Sequence, residues 1–180
     1  MENNSYVLED PSTHDALFVD ACFEPETLET ACHGANIVAI VQTHGHFDHV
    51  QALAELKVRL GVPVLAYPGE EYPVTIDRFL QDEEIIPFGS KEARVLHTPG
   101  HTPGGICLSV GHHLISGDTL FPGGPGNTWG DSEAFRSITA SIGDKLFMLP
   151  DNTRVYPGHG DDTTIGAEKP HLDEWLERGW

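Results

Sequence analysis

The stretch Thr43-His44-Gly45-His46-Phe47-Asp48-His49 constrains this chain more than any other part of it. Before it, Asn36 to Gln42 is rich in Ile, Val and Ala, with the length and β-branched content of a buried strand. After it, Val50, Leu53, Leu56 and Leu60 recur at helical spacing and stop at Gly61, a residue suited to the left-handed cap that ends helices. The histidines therefore lie where a strand gives way to a helix, which predicts an α/β fold with a metal-binding turn.

In extended backbone His44 and His46, two apart, point to the same side and can share a cation. Asp48 and His49 are adjacent, so their side chains diverge as the chain coils. That divergence suits two cations, His44 and His46 on the first and Asp48 and His49 on the second. Imidazole plus carboxylate is a ligand set for zinc, iron or manganese, and two such ions close together form a hydrolytic centre. Gly45 leaves room for close backbone approach. Four ligands do not complete two coordination shells, so the rest of the chain must supply others.

Three later segments do. Thr98-Pro99-Gly100-His101-Thr102-Pro103-Gly104-Gly105 is a rigid Gly/Pro loop around one histidine. The hairpin Ile106 to Val110 and Leu114 to Ser116 turns at Gly111-His112-His113, whose histidines are read as solvent-facing, and runs into Asp118, a carboxylate at a strand end. After a glycine-rich loop and a helix from about Ser132 to Met148, a strand at Arg154 to Tyr156 ends in Pro157-Gly158-His159-Gly160. The candidate ligands are thus His44, His46, Asp48, His49, His101, Asp118 and His159.

Elsewhere, Ser5 to Leu8 and Ala16 to Val19 read as a hairpin, and Pro25 to Thr30 as the start of a helix. Val62 to Ala66, Ile85 to Phe88 and Ala93 to His97 read as strands. Pro68 to Glu84 is acidic and aperiodic, a covering loop or short helix, either a surface excursion or a substrate lid. Pro170 to Trp180 reads as a short helix whose Trp175, Leu176 and Trp180 pack.

A chain of 180 residues fits one domain, 1–180, and its 39% hydrophobic content supports a globular core. No apolar run reaches the roughly 20 residues that span a bilayer, and the start is not that of a signal peptide, so a soluble cytoplasmic protein with no membrane partner is expected. Cys22, Cys32 and Cys107 show no Cys-x-x-Cys pairing and read as core filler. A net charge of −18 with only 10 Lys and Arg argues against nucleic acid as a partner.

The THGHFDH turn, His101 in TPGHTPG, Asp118 in SGDTLF, His159 in PGHG and the following Asp162-Thr163-Thr164-Ile165-Gly166 resemble the metallo-β-lactamase fold superfamily, and within it the glyoxalase II (hydroxyacylglutathione hydrolase) branch. The resemblance spans Asn4 to Lys169. It implies an αββα sandwich with metals at one edge between two sheets. His44, His46 and His101 would hold one ion, Asp48, His49 and His159 the other, and Asp118 would bridge them. The helical C-terminal domain with which glyoxalase II enzymes bind glutathione has no counterpart after Lys169, and the sequence from Phe121 to Trp129 departs from the branch.

The expected cofactors are two divalent ions, zinc first, with iron or manganese as alternatives. Two cations lower the pKa of a shared water to about 7 and polarise a carbonyl, so hydroxide attacks a thioester carbon. Asp48 is the candidate to orient the nucleophile and take its proton. Asn127, Thr128 and Trp129 follow a ligand directly and are candidate contacts to a small-thiol conjugate such as an S-lactoyl or S-formyl derivative. Competing expectations are a persulfide dioxygenase with one iron on His44, His101 and Asp118, a lactonase or β-lactam hydrolase, and a non-catalytic binding module. The oligomeric state, monomer or homodimer, is left open by the sequence.

Overall fold

The computed structural model describes residues 3–179. One sheet is made of β1 (Tyr6–Glu9), β2 (Asp15–Val19), β3 (Asn36–Gln42), β4 (Val64–Ala66) and β5 (Arg78–Phe79), in that spatial order. β1 and β2 form an antiparallel hairpin, and β2 to β5 run parallel. The second sheet begins as an antiparallel meander of β6 (Ile85–Phe88), β7 (Lys91–His97), β8 (Ile106–Val110) and β9 (His113–Gly117). A ribbon of β10 (Leu120–Phe121) and β11 (Gly124–Pro125) stands apart from it. The meander is completed by β12 (Arg154–Pro157), parallel to β9, and by β13 (Thr163–Thr164) at its edge.

Side-chain alternation explains why these sheets stack. Along β2, Leu17 and Val19 face the second sheet, while Ala16 and Phe18 face outward under helices, as a period of two requires. The second sheet does the same, sending Ala93, Val95, Ile106, Leu108 and Ile115 inward and Leu96, Cys107, Leu114 and Val155 outward. Helices α1 (Pro25–Ala31), α2 (Phe47–Val50) and α3 (Leu53–Leu60) follow strands of the first sheet, and Leu28, Leu53 and Leu56 cover its outer face. On the other side α4 (Ser132–Asp144), α5 (Ile165–Glu168) and α6 (Leu172–Arg178) supply Phe135, Ile138, Ile142, Ile165 and Trp175. The result is a four-layer αββα sandwich. Each Leu, Ile or Val fully buried in it contributes about 1.5–3 kcal/mol relative to exposure.

Strand direction decides where the functional loops go. β7 and β9 both pair antiparallel with β8, and β12 pairs parallel with β9, so β7, β9 and β12 all point the same way. Their C-terminal ends therefore share one edge of the sheet. The end of β3 reaches that edge too, because the Ile106 N–H at the start of β8 donates to the Thr43 carbonyl at 2.9 Å. Four loops from distant parts of the chain converge there as a consequence of topology.

Several elements differ from the sequence-based expectation. The helix after the histidine turn is two pieces, α2 and α3, broken at Gln51 and Ala52, and Gly61 closes α3 at φ 66 as expected. The segment from Pro68 to Glu84 contains no helix; it adds β5 to the first sheet and otherwise runs as loop. The long helix ends at Asp144 and continues as a 3-10 turn, Leu146–Met148; Lys145 between them donates to Asp82 and to the His97 carbonyl. Trp175 is buried against Phe147, whereas Leu176 is half exposed and does not pack as expected; Trp180 lies outside the described residues. Cys22, Cys32 and Cys107 are free and buried, as core filler should be. His112 and His113 are exposed.

Candidate metal centre

The turn after β3 is held by its neighbours before it holds anything itself. Gln42 is fully buried; its side-chain oxygen accepts from the Ala21 N–H at 3.1 Å and its amide donates to the His49 carbonyl at 2.9 Å, closing the turn on itself. At Gly45 a Cβ would stand 2.7 Å from the Glu71 carbonyl oxygen, so only glycine permits this approach. Glu70 accepts from the Gly45 N–H at 3.3 Å and the Gly104 N–H at 2.7 Å, tying the loop that carries His44 and His46 to the loop that carries His101. Gly117 precedes Asp118 at φ 48 and touches Thr43, where a Cβ would meet the threonine Cβ at 2.8 Å.

All seven sequence-predicted residues meet at this edge. His46 Nδ1 lies 3.1 Å from His44 Nε2 and 2.9 Å from His101 Nε2, forming a three-imidazole cluster. His159 Nε2 lies 3.2 Å from His49 Nε2 and 3.3 Å from Asp48 Oδ2, forming a second cluster. Asp118 stands between them. Its Oδ1 is 3.4 Å from His49 Nε2, and its Oδ2 is 3.4 Å from His101 Nε2 and 3.5 Å from His159 Nε2. Metal–imidazole bonds of about 2.0–2.1 Å in tetrahedral array separate ligand nitrogens by about 3.3 Å, close to the spacings within each cluster.

The protons of these rings follow from their outer partners. Thr43 Oγ1 has one hydrogen, given to Asp20 Oδ2 at 2.7 Å, so it accepts from His44 Nδ1 at 3.1 Å and leaves His44 Nε2 bare. His49 Nδ1 donates to the same Asp20 oxygen at 3.0 Å, and His101 Nδ1 to the Asn127 carbonyl at 2.9 Å, leaving Nε2 bare on each. Lone pairs of imidazole and carboxylate thus face one another, and the charge that reconciles them is a proton or a cation. The second oxygen of Asp20 accepts from the Thr43 N–H at 2.7 Å. Although Asp20 lies near His44 and His49, its oxygens are occupied by these donors, which makes it an outer support of the clusters.

Electrostatics agree with that reading. Burial favours the neutral form of Asp118, but the imidazoles of His159 and His49 outweigh it and hold the carboxyl well below the usual carboxylate range. Its Oδ1 is buried with no hydrogen-bond partner and lies 3.4 Å from His49 Nε2. Burial pushes the His49 imidazole down, yet Asp118 and Asp20 together raise it to about 10. Burial pushes His44 well down and His101 down as well, keeping both neutral and available as ligands. Asp48 is half buried and, against burial, the Asn3 amide holds its carboxyl low through a 3.0 Å hydrogen bond to Oδ2. Gly158 closes the floor: a Cβ there would meet Asp118 Oδ1 at 2.2 Å.

The three candidate contact residues are placed differently from one another. Thr128 is 1% exposed. Asn127 uses its carbonyl on His101 and its side-chain oxygen on the Trp129 N–H at 2.7 Å. Asn127 and Trp129 are exposed, and Trp129 presents its ring to solvent beside His46 and His101. Sequence reasoning missed Asp20, Asn3, Glu70 and Glu168, the last buried and accepting from the Gly123 N–H at 2.9 Å.

Imidazoles and carboxylates gathered at one edge of an αββα sandwich give this protein the donor set of a dinuclear metal centre. The chain belongs to the metallo-beta-lactamase superfamily, which it matches over residues 2–159. It is 34% identical over 157 residues to the hydroxyacylglutathione hydrolase GloC of Haemophilus influenzae, covering 74% of each chain. Among solved structures it is similar to the BLEG-1 B3 metallo-beta-lactamase, with a TM-score of 0.84, 30% identity and coverage of 94% of this chain and 92% of that one. It is also similar to TTHA1623, whose structure is of a di-iron-bound form, with a TM-score of 0.77, 32% identity and coverage of 93% and 92%. No helix among the described residues is long and apolar enough to cross a membrane.

Proposed function

We propose that this protein is a metal-dependent hydrolase that cleaves S-acyl conjugates of a small thiol, with His44, His46 and His101 holding one ion, Asp48, His49 and His159 the other, and Asp118 shared between them. The observation that carries this reading is the position of Asp118, whose oxygens lie within 3.5 Å of ring nitrogens from both clusters. When bound, two such ions lower the pKa of a coordinated water and polarise a carbonyl. Zinc suits the donor set, and the di-iron form of TTHA1623 supports iron as the alternative.

The chain's own residues do the rest by position. Asp20 and Thr43 fix which nitrogen of His44 and His49 faces the centre, and the Asn127 carbonyl does so for His101. Asp48, held ionised by Asn3, is the group placed to take the proton of the attacking water. No cysteine competes as a nucleophile: burial pushes the thiol of Cys22 up to about 12 and that of Cys107 up to about 11. The relationship to GloC supports the thioester bond as the target.

Metal-replete protein is expected to hydrolyse S-lactoylglutathione and acyl thioesters of N-acetylcysteamine, to lose that activity on dialysis against a chelator, and to regain it with zinc, manganese or iron. Failure to cleave any thioester at verified metal content would contradict the reading. The likeness to BLEG-1 favours ring opening as a second reading, and a chromogenic β-lactam and a simple lactone assayed on the same preparation separate the two.

A further inference from the structure

Two aromatic side chains lie against rings of the candidate centre, and a third stands next to its ligands in the chain. Phe47, 75% exposed, sits in the turn between His46 and Asp48. Phe121, at the end of β10, stacks toward His159 with ring centroids 6.4 Å apart. Trp129 lies 5.1 Å from the His101 ring and 5.5 Å from the His46 ring, yet is 65% exposed. Exposing a tryptophan this far is unfavourable unless something covers it.

The backbone of Trp129 is in the left-handed region at φ 52, a conformation uncommon for a bulky residue. It is fixed from both sides. The Trp129 N–H donates to Asn127 Oδ1, Thr128 is buried, and its carbonyl accepts from the Asp131 N–H at 3.0 Å. Asp131 in turn caps α4 by accepting from the N–H groups of Glu133 and Ala134. A strained, braced backbone that holds an exposed indole against two candidate ligands is preorganised for contact with something bound at the centre.

A cleft of about 300 Å³ runs from His101 and Asp118 along Phe121 to Asn127 with no Lys or Arg in its lining, and Trp129, itself outside that lining, adjoins it through the His101 ring. An anionic tripeptide thiol carries two carboxylates that this wall leaves without a cationic partner. On the thioester reading above, we infer that Trp129 is a specificity-determining residue and that, with Phe121, it selects thioesters bearing an uncharged, apolar substituent over conjugates of an anionic tripeptide.

Two substrate arms locate the substituent. In the first, acetyl and hexanoyl thioesters of N-acetylcysteamine are compared; in the second, the acetyl group is kept and the thiol is varied between N-acetylcysteamine, hexanethiol and glutathione. Wild-type protein is expected to prefer the apolar member of at least one arm by about tenfold in kcat/KM and to disfavour the glutathione conjugate. Trp129→Ala is expected to bring that preference close to parity, and Trp129→Phe to retain most of it. Calorimetry with the non-hydrolysable S-hexyl and S-ethyl thioethers of N-acetylcysteamine gives a readout without turnover, with the same loss of discrimination in Trp129→Ala. If no thioester is cleaved, the hydrolase reading fails and calorimetry alone decides this one. Discrimination between the thioethers that is unchanged in Trp129→Ala, or a wild-type preference for the glutathione conjugate, overturns the inference.

Discussion

Exchanging Asp118 for Asn is expected to lower kcat/KM for thioester hydrolysis by about a thousandfold, from a loss of about 4 kcal/mol of transition-state stabilisation. The substitution is isosteric, so the packing around Gly158 and Gly126 is kept. What changes is chemical. Among the described residues Asp118 is the one carboxylate whose two oxygens address both clusters, Oδ1 toward His49 and Oδ2 toward His101 and His159. An amide supplies a single neutral oxygen and turns an N–H₂ donor toward bare imidazole nitrogens. The shared ligand is lost, and with it the charge that offsets two cations. Metal content per chain is expected to fall below two while the circular dichroism spectrum stays native. Wild-type turnover and metal content in Asp118→Asn would show that the residue is a structural carboxylate.

The second large effect is expected at Asp20, which does not face the centre. This buried carboxylate, 1% exposed, accepts from the Thr43 N–H, the Thr43 hydroxyl and His49 Nδ1. It thereby sets one imidazole in each cluster, His49 directly and His44 through Thr43. In Asp20→Asn one position must become an N–H₂ group, and every partner is already a donor. With the N–H₂ group at the Oδ1 position the Thr43 N–H is opposed. At the Oδ2 position both the Thr43 hydroxyl and His49 Nδ1 are, and His49 is then driven to the tautomer with its proton on Nε2, pointing into the centre. In either orientation the carboxylate charge behind His49 is lost. Asn tolerates the left-handed backbone of this position, φ 58, so backbone strain is not the cause of the effect. Metal affinity is expected to fall about 10- to 100-fold, with a loss of stability of about 1–3 kcal/mol from the unsatisfied buried groups. Competition with a chelating dye measures the first and urea unfolding the second. A stability loss with unchanged metal affinity would make Asp20 a purely structural residue.

Much of this molecule is legible in its sequence. The strand at Asn36 to Gln42 and the Gly61 cap are local features, written in β-branched content and helical spacing, and both occur where expected. The candidate ligands are readable because His44, His46, His101, Asp118 and His159 are punctuated by glycine, proline or a strand end, and Asp48 and His49 follow within the same short turn. Asp20 escaped for a physical reason. Its role exists only because β2 pairs parallel with β3, aligning Val19 with Val41 and bringing the residue after one strand beside the turn after the other. Asn3 reaches Asp48 through an isolated bridge to His159, a contact between opposite ends of the sequence. Glu70 lies in a segment without periodicity, and its contacts with Gly45 and Gly104 depend on two loops meeting. Thr128 looked available by its place in the chain, and its burial is set by the packing of the loop that leads into α4.

The most direct test is anomalous diffraction at the metal edge from crystals of metal-replete protein. Two peaks are predicted, one enclosed by His44, His46 and His101 and the other by Asp48, His49 and His159, each about 2.0–2.2 Å from an Asp118 oxygen. A single peak that Asp118 does not touch, or no peak at this edge of the sandwich at saturating metal, would contradict the account.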